Sequence, residues 1–156
     1  MESLGDQISV EAAVQTRFDL FTDAEFGKVF PATNTALKRI AEYCSQPDDA
    51  GSWFHVATSC RELLGSFVRE LHSLGAVTPI HELKQGDTKG ILKQLVKERS
   101  SASDNLIDLI QAIWSYVQST VHRQTASKQD ALRTYLWTGL LISEIWMLLR
   151  AVQNGD

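Results

Sequence analysis

From Asp130 to Val152 the chain reads DALRTYLWTGLLISEIWMLLRAV. Leu132, Leu136, Leu140, Leu141, Ile145, Leu148, Leu149, Trp137 and Trp146 are spread over nearly every side of a helical wheel. A helix that is apolar most of the way round belongs in the middle of a bundle, and Arg133, Glu144 and Arg150 are too few to cover a solvent face. The pattern makes this helix the post on which the others pack. Upstream, Ala50–Ser73 is the cleanest amphipathic stretch. Trp53, Ala57, Cys60, Leu64, Phe67 and Leu71 recur in steps of 4, 3, 4, 3 and 4, while Arg61, Glu62, Arg69 and Glu70 lie away from the stripe.

The remaining elements follow from the same periodicity and from local stop signals. Residues 1–8 read as frayed, and Val10, Ala13, Val14, Phe18 and Phe21 suggest a short helix from Ser9 to Phe21. Thr22 and Glu25 fit a capping box, opening a segment that Pro31 stops or kinks because it lacks an N–H. Ala36, Leu37, Ile40, Ala41 and Cys44 predict a helix over Pro31–Ser45, ended by Pro47. A long connection, Leu74–Gly86, is unusual for a bundle. Asp87 then caps a helix to Arg99, with Ile91, Leu92, Leu95 and Val96 on one side and Lys89, Lys93 and Lys97 on the other. Leu106, Ile110, Ile113, Val117 and Val121 predict a helix over Asp104–Val121. A short loop, His122–Ala126, and a Ser127/Asp130 capping box join it to the terminal helix as an antiparallel hairpin. The expectation is one all-α domain over residues 1–156, an up-and-down bundle of four to five main helices.

Composition narrows the function classes. The chain has 156 residues, 44% hydrophobic and 22% charged, with a net charge of −4 that argues against coating nucleic acid by bulk attraction. Cys44 and Cys60 fall at helix-interior positions with no second ligand at metal spacing, so they read as buried thiols suited to a reducing cytosol. The acidic N-terminus lacks a signal-peptide pattern. The apolar run Tyr135–Leu149 is too short to span a bilayer and contains Glu144. A cytoplasmic chain with no membrane partner is expected. No HExxH, CxxC pair, EF-hand loop, Walker loop, G-x-G-x-x-G or G-x-S-x-G is present, so no metal or cofactor is expected.

Three sets of residues carry candidate chemistry. His122, at the hairpin junction, reads as a general base or phosphate ligand, or as a helix-terminal residue bonded to last-turn carbonyls. There the helix dipole favours the charged ring, which opposes a base. Lys89, Lys93 and Lys97 offer a site for RNA or an acidic partner, or a solvated face. The four tryptophans, Trp53, Trp114, Trp137 and Trp146, read as core, with one of them at an oligomer interface. The chain carries more apolar helix surface than a small bundle can hide. That predicts a homodimer through the terminal hairpin, with Trp137 or Trp146 near the contact.

The order of elements resembles a known family. Cys60-Arg61-Glu62-Leu63-Leu64 on an amphipathic helix is followed by a loop, a short basic helix, a helix ending in Val121-His122, and the apolar Thr134-Tyr135-Leu136-Trp137-Thr138-Gly139-Leu140-Leu141. Over Pro31–Val152 this is similar to HEPN-like helical domains of prokaryotic defence and abortive-infection systems. The resemblance implies a metal-independent ribonuclease dimer whose signature is an arginine, four to six residues, then a histidine. His122 matches the histidine. The arginine positions hold Val117, Tyr116 and Ser115, and Arg123 is the cation left to stand in.

A phosphoryl-transfer site needs a cation where negative charge develops. The expectation is therefore a non-enzymatic interaction or regulatory module with a protein partner, part of an antiviral defence or toxin–antitoxin system. The alternative is an RNA-cleaving enzyme using His122. A third class, a ligand-sensing bundle, requires a polar-lined cavity.

Overall fold

The computed structural model describes residues 24–44, 50–76, 87–99, 103–122 and 127–153. All regular structure among them is helical: α1 (Ala24–Val29), α2 (Pro31–Cys44), α3 (Ala50–Ser73), α4 (Thr88–Arg99), α5 (Ser103–His122) and α6 (Lys128–Gln153). The all-α class and five main helices match the periodicity. The proposed Ser9–Phe21 helix, Thr22 of the first capping box and most of the Leu74–Gly86 connection lie outside the described residues.

The helix ends follow local chemistry. Pro31 breaks the chain into α1 and α2, yet the Phe30 N–H donates to the Phe26 carbonyl at 2.8 Å, and the Asn34 N–H to Phe30 at 2.9 Å, so the corner stays tight. At the end of α3, Gly75 takes a φ of +69°. Its N–H donates to the His72 carbonyl, and the Ala76 N–H to the Leu71 carbonyl, each at 3.0 Å. This is a Schellman ending, which places a residue in the left-handed region that glycine occupies without strain. Asp87 Oδ1 accepts the Gly90 N–H at 3.0 Å. The Asp130 N–H donates to Ser127 Oγ at 3.1 Å, and Asp130 Oδ2 accepts the Ser127 N–H at 3.3 Å. The capping box before α6 is formed as its sequence predicts.

The centre of the bundle is shared. The sequence makes the terminal helix the post, but α3 packs against α2, α4, α5 and α6, most extensively against α2 and α6. Phe67, Leu64, Cys60, Ala57 and Val56 of α3 are fully buried. The α6 wheel is apolar on more sides, but one of those sides faces outward, whereas the narrower stripe of α3 is widened by neighbours on both flanks. An aromatic cluster closes one end of the core. Trp146 meets Phe26 edge-on at 5.4 Å and Phe30 at 5.8 Å, and Phe30 meets Phe67 at 5.0 Å. Arg150 holds the same corner, pairing with Glu25 at 3.4 Å and lying 5.7 Å from the Trp146 ring centre.

The start of α2 is capped from a distance. Phe30 precedes Pro31 and has no side-chain acceptor to offer. Glu70 of α3 supplies one: its Oε1 accepts the Thr33 N–H at 2.6 Å and the Thr33 hydroxyl at 3.1 Å. A carboxylate there also faces the positive end of the helix dipole. Thr33 is fully buried, so removing the acceptor strands two donors. Glu70→Ala is expected to lower stability by about 1–3 kcal/mol, the range for hydrogen bonds to a charged group that is only part-buried. Glu70→Gln should lose less than half of that. Urea midpoints at neutral pH check both.

Candidate interaction surface

The α6 helix has two unlike sides. Its inward side buries Leu132, Tyr135, Leu141, Ile142, Ile145 and Trp146. Its outward side presents Arg133, Trp137, Leu140, Glu144 and Met147, in steps of 4, 3, 4 and 3 that keep them in one strip along the helix. Trp137 is 38% exposed and Met147 52%; Leu140 and Glu144 are half-buried and Arg133 is exposed. Two of the exposed large apolar side chains among the described residues thus lie on this one strip, which makes it the candidate surface. The flank is built by α5: the Tyr116 ring lies 4.6 Å from the Trp137 ring, and the Tyr116 hydroxyl donates to Asp130 Oδ1 at 3.4 Å. Trp137 is thereby held on one side and open on the other.

The two tryptophans named for an interface are therefore separated. Trp146, 7% exposed, is spent on the Phe26/Phe30 cluster inside the subunit, and only Trp137 is presented outward. Trp53 is buried beneath Lys128, whose Nζ lies 5.8 Å from its ring centre, and Trp114 is half-buried against the core.

His122 is the last residue of α5. Its side chain and Arg123 lie outside what the structure describes. Positions 117, 116 and 115, where the resemblance expects an arginine, are described, and none of them carries a positive charge. Val117 is fully buried in the core, Tyr116 is engaged with Trp137 and Asp130, and Ser115 accepts a bond from Gln111 Nε2 at 3.0 Å.

The lysine row is not uniform. Lys93 is half-buried and its Nζ donates to Gln111 Oε1 of α5 at 2.7 Å. Lys89 is half-buried and Lys97 exposed. One of the three thus serves α4–α5 packing.

An open groove of about 610 Å³ runs between α2 and α3, with Ala36, Ile40 and Leu63 along it and Arg39, Glu62 and Ser59 among its polar lining. In the core, burial pushes the Cys44 thiol up to about 12 and the Cys60 thiol further, and the buried Tyr135 phenol is raised as well. These thiols are protonated at neutral pH and are poor nucleophiles. Among the described residues no three His, Cys, Asp or Glu side chains come together as a metal site, and no helix is long and apolar enough to cross a membrane.

The periodicity of α6 does not by itself single out the strip within the terminal hairpin. Its signal was present in two lone charges, Arg133 and Glu144, on one side of an otherwise apolar wheel, with Trp137, Leu140 and Met147 at heptad spacing between and beyond them. Comparison with known protein families, with characterised proteins and with solved structures returns no match.

Proposed function

We propose that this chain is a non-enzymatic helical interaction module that works through the outward strip of α6. The observation that carries the reading is the exposure of Trp137 and Met147 along one strip of a helix whose opposite side is buried in the core. The resemblance to HEPN-like domains supports a place in a prokaryotic defence or toxin–antitoxin system, with the catalytic arginine replaced by Val117, Tyr116 and Ser115. Val117 is uncharged and buried in the core, so that position presents no cation to a phosphate.

Two measurements test this reading. Replacing Trp137 with a photo-crosslinking phenylalanine derivative should yield a discrete intermolecular adduct on irradiation in cells. The same residue placed at Asp108, an exposed position on α5, should not. Absence of an adduct from position 137 would sink the module. The enzymatic alternative is tested separately, by incubating purified protein with RNA in a chelator. No cleavage is expected. Loss of a positioned acid–base group typically slows a reaction about 10²- to 10⁴-fold, so chelator-resistant cleavage that disappears in His122→Ala would establish the ribonuclease instead.

A further inference from the structure

The strip on α6 carries its own complement. Arg133 lies four residues before Trp137, and Glu144 lies four residues after Leu140. Turning a second helix end for end about a point between Trp137 and Leu140 therefore sets Trp137 against the partner's Leu140. The same turn sets Arg133 against the partner's Glu144, and both pairs form twice by symmetry. Neither Arg133 nor Glu144 has an ion-pair or hydrogen-bond partner among the described residues. Glu144 is half-buried, with Leu140 and Leu148 one turn to either side on the same helix. The 4, 3, 4, 3 spacing is that of a coiled-coil seam, in which two helices stay in register along their length.

We propose that the occupant of this strip is a second copy of the chain, packed antiparallel through α6, with reciprocal Arg133–Glu144 pairs flanking a Trp137–Leu140 centre. The proposal rests on the strip being an interaction surface and names its partner. A two-fold contact uses the same patch on both subunits and must be self-complementary. Parallel pairing fails that requirement, because it would set Arg133 against Arg133 and Glu144 against Glu144. The antiparallel register satisfies every charge in the strip.

Sedimentation of purified protein over a micromolar concentration series, with charge-reversal variants, tests the arrangement. Wild type is expected to dimerise. Arg133→Glu and Glu144→Arg should each weaken the dimer at least tenfold, since each creates two like-charge contacts. An equimolar mixture of the two single variants should recover dimer, because every contact in the mixed pair is then opposite in charge. Helix content measured in parallel confirms that each variant is folded.

Single variants that dimerise as tightly as wild type would overturn the register. A wild type that stays monomeric across the series would overturn self-association. The crosslinked adduct separates this inference from the reading beneath it. An adduct of twice the chain mass supports the second copy. An adduct with a different protein keeps the module and overturns the homodimer, and a crosslink within one chain overturns both.

Discussion

Replacing Trp146 with alanine is expected to destabilise the fold by about 3–5 kcal/mol, the usual range for deleting a large buried aromatic. The ring meets Phe26 and Phe30 edge-on, at 5.4 and 5.8 Å. Phe30 in turn rests on Phe67 of α3. Its loss would open a void where α1, α3 and α6 meet and would also remove the surface on which Arg150 lies. Trp137→Ala should behave differently. That ring is 38% exposed, with Tyr116 on one side, so the loss should be clearly smaller than for Trp146: the pair adds about 0.5–1.5 kcal/mol to a smaller buried area. Guanidinium unfolding of the two variants measures the contrast. Equal losses would mean that the inward and outward sides of α6 have been wrongly distinguished.

The second large effect is alkaline. Burial raises Cys44 from 9.0 to about 12 and raises Cys60 as well. An unfolded chain loses those thiol protons near pH 9, whereas the folded chain keeps them. Above that pH the folded state binds more protons, so stability must fall as pH rises. The contribution is fully present below pH 9 and, for Cys44, is lost between about 9 and 12. The slope should approach about 1.4 kcal/mol per pH unit for each thiol. Unfolding midpoints from pH 8 to 10.5, measured in reductant, should show this decline. Cys60→Ala should lower stability at pH 8 through lost packing but flatten the alkaline slope. An unchanged slope would mean that the Cys60 thiol is not held neutral by the fold.

Much of the fold was legible in the sequence because the deciding forces are local. Ala50–Ser73 starts and stops where its stripe and Gly75 place it. The caps by Asp87 and by the Ser127/Asp130 box involve residues three apart in the chain. A helix start or a glycine turn is settled by neighbours within one turn, so no knowledge of the rest of the molecule is required.

The outward strip of α6 was legible only as far as the terminal hairpin and the choice of Trp137 or Trp146. On a wheel as apolar as that of α6, any side could face the core, and hydrophobicity gives no means of choosing between Trp137 and Trp146. The sequence by itself determined the all-α class, the main helical segments, the caps by Asp87 and by Ser127 with Asp130, and the lack of an arginine at positions 115 to 117. Only tertiary structure decided that Trp146 turns inward onto Phe26 and Phe30, that Glu70 of α3 caps α2 thirty-seven residues away in the chain, and that α3 shares the centre with α6. It also decided that Arg133, Trp137, Leu140, Glu144 and Met147 remain on the outside. These outcomes depend on which other helices arrive on each side, and the arrivals are fixed by packing between segments distant in sequence, where the periodicity of one helix carries no information.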